Sequence, residues 1–178
     1  MQLNYQLTKS DFLEYQLYTS SKSKLHKKKR FRNRILVPII YTVFALYSLI
    51  NNKNYVTTIT FIAISIIWFA LYPKYSSWYY KKFLRKHVDE NYKNRVNKPV
   101  ELSFNDDSIN IKDFTSESKI NGSEIKELIE TKDHFFLKLK TDLSLIVPKY
   151  AINNCSEFIN TVTSLGAEHI NELQWRFK

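Results

Sequence analysis

Residues 35–52, ILVPIIYTVFALYSLINN, and residues 54–73, NYVTTITFIAISIIWFALYP, carry no charged side chain, and Lys53 alone separates them. Residues 35–50 would make about 24 Å of helix at about 1.5 Å per residue, short of a hydrocarbon core of ~30 Å. Adding Asn51 and Asn52, and letting Arg32 and Arg34 snorkel outward, makes the length sufficient. The second run is long enough unaided. A soluble helix of this length shows a polar stripe to water, and neither run has one. The reading is therefore a transmembrane hairpin, residues 35–73, with spans at about 35–52 and 55–73. Pro38 lies in the first turn of the first run, where a kink is tolerated. The basic region before it is too long for a cleaved signal peptide, and no small-residue cleavage site follows. With no charge inside either span, nothing points to ion conduction or a proton relay.

The charge distribution orients this hairpin. Residues 1–98 hold 18 Lys/Arg against 4 Asp/Glu, and residues 99–178 hold 9 against 13, so the net +10 belongs to the N-terminal half. Eight Lys/Arg lie between Lys22 and Arg34, five follow the second run (Lys74, Lys81, Lys82, Arg85, Lys86), and the connection has only Lys53. Positive residues near spans stay on the cytoplasmic side, so both termini are expected to be cytoplasmic in the cell membrane. Tyr72, Tyr75, Trp78, Tyr79 and Tyr80 have the amphipathic rings that settle at a headgroup boundary; Tyr47 and Tyr55 are their counterparts at the outer end.

Before the hairpin, Leu3–Thr8 alternates as a strand does, and either Thr8 or Ser10 is placed to cap a following helix. Residues 1–34 thus read as a strand and a basic juxtamembrane helix running into the first span. After Pro73, Tyr80, Phe83, Leu84 and His87 recur at helical spacing, so residues 74–98 read as an amphipathic extension of the second helix. Its aromatic stripe is expected to lie on the membrane surface, the N-terminal helix or the C-terminal domain. Pro73 removes one donor to the Phe69 carbonyl.

From Pro99 the texture changes to short alternating strands. Val100, Leu102 and Phe104 precede the turn residues 105–108; Ile109 and Ile111 resume the alternation. Residues 117–120 read as a strand closed by Asn121-Gly122, a pair suited to a turn with positive φ. Residues 125–131 fit strand or helix; the turn at Lys132-Asp133 favours strand. Phe135, Leu137 and Leu139 share a face opposite Phe136, Lys138 and Lys140; after a turn at Thr141-Asp142, Leu143, Leu145 and Val147 form the next strand, which Pro148 ends. Ile152, Phe158, Ile159, Val162 and Leu165 describe an amphipathic helix with Gly166 as its C-cap, and residues 167–178 form a terminal strand or a tail. The expected fold class is membrane α+β: the hairpin with its helical extensions, and at residues 99–178 a small antiparallel sandwich or barrel of about six strands capped by a C-terminal helix. The strand Leu3–Leu7 is placed to join that sheet across the hairpin.

The chain resembles the YcxB-like family of small bacterial membrane proteins. The resemblance rests on "LNYQLTKSDFLEYQLY" (residues 3–18), the basic run and two-span hairpin, "YYKKFLRK" (residues 79–86), and above all "DHFFLKLKTDLSLIVPKYAINNCSEFINTV" (residues 133–162). It implies that the C-terminal domain is pleckstrin-homology-like, and it implies no reaction.

No catalytic residue, cofactor site or metal cluster is expected. His26, His87, His134 and His169 lie far apart and read as surface or structural; Cys155 reads as a buried small apolar residue. Asp106-Asp107 is accounted for by a turn, since hard cations need more oxygen ligands. Two glycines leave no room for a glycine-rich phosphate loop. The basic residues Lys27, Lys28, Lys29, Arg30, Arg32, Arg34, Lys81, Lys82, Arg85 and Lys86 enforce topology, recognise anionic headgroups, or do both. No nucleic-acid module accompanies them. The expectation is a non-enzymatic membrane protein that presents an interaction domain to another membrane or cytoplasmic protein at an anionic bilayer surface. The alternatives are a membrane-surface enzyme, with His87, Asp89 and Glu90 as the candidate acid–base residues, and a subunit of a transport or signalling complex.

Overall fold

The computed structural model describes residues 1–177, apart from the side chain of Asn52; Lys178, the end of the expected C-terminal domain, lies outside the described residues. Strand β1 (Gln2–Gln6) leads into α1 (Lys9–Lys22), α2 (Lys24–Tyr47), a π-helical turn (Ser48–Asn52) and the long α3 (Tyr55–Asn91). Strands β2 (Pro99–Phe104), β3 (Ser108–Asp113), β4 (Glu117–Asn121), β5 (Ile125–Glu130), β6 (His134–Leu139) and β7 (Ser144–Pro148) follow, then α4 (Cys155–Ser164) and β8 (Glu168–Asn171). The chain divides into two compact units, residues 1–16 with 85–176, and residues 17–84 with Phe177.

The first unit is built on two four-stranded sheets, ordered β1-β2-β3-β4 and β7-β6-β5-β8. β1 pairs antiparallel with β2, setting Leu3 opposite Leu102 and Tyr5 opposite Val100, so the N-terminal strand does join the C-terminal domain. Phe158 of α4 is fully buried and touches both sheets, its ring 5.6 Å from Phe104 of β2 and 4.9 Å from Phe135 of β6. Asn154 caps α4 by accepting from the Ser156 and Glu157 amides at 3.1 and 3.2 Å, and Gly166, at φ +102°, ends it.

Several expectations are corrected. The second sheet is mixed, because β8 runs parallel to β5 after the long crossover through α4. Phe136 is buried like its neighbours Phe135 and Leu137; both faces of β6 are covered, Tyr15 of α1 packing on Phe136 at 5.4 Å. Asn121-Gly122 is no positive-φ hairpin, since Asn121 sits at φ −65° and a 3₁₀ turn, Gly122–Glu124, carries the chain between sheets. Gly122 is required by close approach instead: a Cβ there would stand 2.9 Å from Leu165 Cδ2 and 3.2 Å from the Asp107 carbonyl oxygen. Leu143 precedes β7 and is exposed, and Cys155 is only half-buried at the start of α4. On the part of α3 beyond Pro73 the buried positions are Ser76, Leu84 and Val88, whereas Phe83 is exposed.

The second unit is a helical hairpin whose surface is inverted relative to a soluble protein. α2 with its π turn, and α3, are each long and apolar enough to cross a membrane. Their large apolar side chains, among them Ile39, Val43, Leu46, Val56, Ile59 and Ile66, face outward. Within the two apolar runs the buried positions are, apart from Tyr72, small or hydroxylated: Ala45, Ser48, Thr58 and Ser65. Thr58 Oγ1 donates to the Ala45 carbonyl at 3.4 Å and Ser65 Oγ to the Pro38 carbonyl at 3.3 Å. Close helix contact through small residues, with hydroxyls bonded across it, is the packing mode of helices in lipid. Lys53, in the left-handed region at φ 49°, reverses the chain, and the Asn54 side chain accepts from the Thr57 amide at 3.1 Å to start α3. Pro73 leaves α3 continuous, and the Phe69 carbonyl that it deprives of a donor accepts from Arg34 Nε at 3.3 Å. The Arg34 guanidinium also lies 4.0 Å from the Phe69 ring centroid.

Candidate functional site

In the first unit a cavity of about 300 Å³ opens beside β1, β2, β3 and the start of β7. Tyr5, Leu7, Phe12, Val100, Ile111 and Ile146 supply its apolar lining, and Arg95, Lys98, Asp113, Phe114, Asp142 and Leu143 also line it. The Tyr5 hydroxyl donates to the Ile146 carbonyl at 3.0 Å, tying the two sheets at this point. Burial, with Tyr150 nearby, holds that phenol well above its ordinary range. Phe114 and Leu143 are exposed although large and apolar. Both sit in turns that other residues fix. Asp113 Oδ1 accepts from the Thr115 and Ser116 amides, each at 2.8 Å, and from both hydroxyls; these bonds, led by the Thr115 amide, hold its carboxyl below its usual range. Asp142, at φ 63°, turns the chain ahead of Leu143. The Lys98 ammonium lies 5.6 Å from the Phe114 ring. An apolar recess with exposed apolar residues and charges of both signs has the chemistry to receive an apolar side chain from another molecule, flanked by polar contacts.

A second polar cluster locks the unit together. Asp11 and His134 are buried, and His134 Nε2 lies 2.7 Å from Asp11 Oδ1. Asp11 Oδ2 accepts from the Thr8 amide at 2.7 Å and from the Tyr150 hydroxyl at 3.2 Å. Thr8, rather than Ser10, is the helix cap, its hydroxyl accepting from the Asp11 amide at 3.4 Å. Burial pushes the Asp11 carboxyl up, but the bonds from His134 and Thr8 outweigh it and leave it below its usual value. The Tyr150 phenol is pushed up to about 12 by desolvation and by the Asp11 charge. Glu130, also buried, accepts from Lys149 at 2.6 Å and lies 3.0 Å from His169 Nε2.

The remaining residues singled out from the sequence are distributed as follows. Lys27, Lys28, Lys29, Arg32, Lys81, Lys82, Arg85 and Lys86 are exposed; Arg30 and Arg34 are half-buried. Arg30 donates to Ser76 Oγ at 3.0 Å and lies 5.5 Å from the Tyr80 ring, and Lys82 lies 5.3 Å from Trp78. Tyr75, Trp78 and Tyr79 are exposed, Tyr80 is half-buried and Tyr72 is buried. His87, Asp89 and Glu90 are not brought together: Asp89 pairs with Lys9 at 2.6 Å, Glu90 with Lys86 at 3.6 Å, and His87 Nδ1 lies 3.1 Å from Asn91. Among the described residues no group of three His, Cys, Asp or Glu is arranged to hold a metal ion. Sequence reasoning missed the cavity in the first unit. Its signal was a large apolar residue placed in a turn, twice, at Phe114 and Leu143.

No curated protein and no solved structure matches the chain significantly. Residues 104–161, which run from the end of β2 into α4, match the model of the family described as YcxB-like protein, and this match bears out the resemblance seen in the sequence.

Proposed function

We propose that this is a non-enzymatic integral membrane protein whose first unit is a pleckstrin-homology-like interaction domain, held at the cytoplasmic face of the bilayer by the α2–α3 hairpin. The observation that carries the interaction role is the recess lined by Tyr5, Val100 and Ile111 with Phe114 and Leu143 exposed beside it. It receives one apolar side chain of a membrane or cytoplasmic protein. Two sheets closed by a C-terminal helix agree with the pleckstrin-homology-like reading that the family resemblance implies. The inverted hairpin surface supports insertion, and its basic flanks support a cytoplasmic location for both ends.

Two experiments test this. A photocrosslinking residue at Leu143, in native membranes, is expected to capture a discrete protein partner, and Val100→Trp, which fills the recess, to abolish the capture. Burying one Leu or Phe contributes about 1.5–3 kcal/mol, so Phe114→Ser is expected to weaken capture by roughly tenfold or more. The same bands from a probe at Lys119, on the exposed strand β4, would count against a role for the recess. For topology, a reporter inserted at Asn52 is expected to be extracytoplasmic and one at the C-terminus cytoplasmic; the opposite result would overturn the assigned orientation.

A further inference from the structure

A second cavity, of about 540 Å³, lies between α2 and α3. Its walls change character along the helices. Leu36, Val37 and Trp68 belong to the uncharged runs, whereas His26, Lys29 and Tyr79 belong to the basic and aromatic segments beyond them. The gradient from apolar to basic follows the direction in which a phospholipid changes from acyl chain to headgroup.

Three further observations point to an anionic occupant. Residues 17–84 contain twelve Lys/Arg and no Asp or Glu, so no side chain of this unit can neutralise its cations. Lys29 forms no ion pair among the described residues. Trp68 Nε1 and His26 Nδ1, on two residues that line the cavity, are buried without a hydrogen-bond partner among the described residues. Buried polar groups left without a protein partner are uncommon and call for another one. The walls are preorganised: Trp68 packs on Tyr72 at 5.6 Å, His26 meets Tyr80 edge-on at 5.9 Å, and Arg30 is held against Ser76 and Tyr80. A volume in the range of about 300–1,000 Å³ typical of ligand sites accommodates a headgroup and the adjoining part of a chain.

We propose that this cavity binds one anionic phospholipid of the cytoplasmic leaflet, with its phosphate beside Lys29, its ester oxygens toward Trp68 Nε1 and His26 Nδ1, and an acyl chain along Leu36 and Val37. The inference rests on membrane insertion of the hairpin and is independent of any partner of the first unit.

The full-length protein carrying Trp78→Phe and Trp175→Phe retains Trp68 as its sole tryptophan. It is reconstituted into phosphatidylcholine vesicles containing a few mole per cent of chain-brominated phosphatidylglycerol or chain-brominated phosphatidylcholine, and insertion is verified by flotation and resistance to carbonate extraction. The phosphatidylglycerol probe is expected to quench Trp68 saturably, at a mole fraction about fivefold or more below that needed for the phosphatidylcholine probe. Lys29→Glu, an exposed change that leaves the packing intact, is expected to erase that preference, and Val37→Phe, which narrows the cavity, to lower the plateau. Equal, non-saturating quenching by both probes in protein that floats and resists extraction would overturn the lipid site while leaving membrane insertion standing. Protein that neither floats nor is quenched would overturn both.

Discussion

Residues 99–178 expressed alone are expected to be unfolded, whereas the chain in which residues 17–84 are replaced by a flexible linker of about ten residues is expected to be soluble and folded. The N-terminal segment is a structural part of the first unit. β1 supplies an outer strand of the first sheet, paired over its whole length with β2, and Leu3, Tyr5, Leu7 and Phe12 are buried. At about 1.5–3 kcal/mol for each buried side chain, removing these four costs roughly 6–12 kcal/mol, comparable with the ~5–15 kcal/mol net stability of a typical domain. The Phe104 amide loses the Met1 carbonyl at 2.8 Å as well, and β2 acquires an open edge, which invites aggregation. The join is geometrically feasible. Gln16 Nε2 reaches the hydroxyl of Tyr92, the residue after α3, at 2.8 Å, and Arg85 lies about 9 Å before the end of α3. A Gly/Ser linker of ten residues spans about 17 Å on average. Circular dichroism and dispersed amide resonances check both halves of the expectation. A cooperatively folded 99–178 fragment, or a joined chain that stays insoluble, would show that the unit is drawn wrongly.

What the sequence revealed follows from how local each cause is. The helices of the hairpin are announced by uncharged runs, and the strands from Pro99 to Pro148 by alternation and turn residues; both patterns lie within a few residues of the elements they specify. The turn at Thr141-Asp142 falls where the left-handed Asp142 is found, because aspartate tolerates that conformation. Pairings made at long range leave fainter traces. The burial of Phe136 depends on Tyr15, far away in sequence, so alternation alone gives β6 a wet face that it does not have. The need for Gly122 comes from Leu165, not from its own dihedral angle. Removal of the Phe69 donor by Pro73 is readable from proline chemistry, but its replacement by Arg34 is not, since that arginine belongs to the other helix. The recess in the first unit is of the same kind: its lining comes from segments on either side of the hairpin, and only the misplaced apolar residues Phe114 and Leu143 hint at it.

Asp11→Ala is expected to destabilise the first unit by about 3 kcal/mol and to reduce its acid sensitivity. Two losses add. Asp11 shares a capping box with Thr8, the Thr8 amide donating to its carboxylate at 2.7 Å and its own amide donating to Thr8 Oγ1; losing a cap costs about 1 kcal/mol. Opposite it, His134 Nε2 carries the proton of the 2.7 Å bond, because a carboxylate only accepts. With Asp11 gone that buried N–H is unsatisfied, at about 1–3 kcal/mol. Asp11→Asn keeps an oxygen for either Thr8 or His134 and is expected to cost roughly 1 kcal/mol. The sign of the pH dependence follows from the direction of the shift. The carboxyl is held below its ordinary 3.8 in the folded chain, so the unfolded chain binds its proton more readily. The stabilisation is therefore fully present above that value and is lost as pH falls through the lower, folded one. Wild-type protein should lose stability in that acid window, and Asp11→Asn should flatten the loss. Hydrogen exchange of the β5 and β6 amides in the full-length chain, between about pH 3 and pH 6, reads both effects once intrinsic exchange rates are divided out. A double-mutant cycle with His134→Ala isolates the pair: a coupling near zero would assign the cost to the cap alone, and equal acid profiles for wild type and Asp11→Asn would refute the role of this carboxylate in tying α1 to β6.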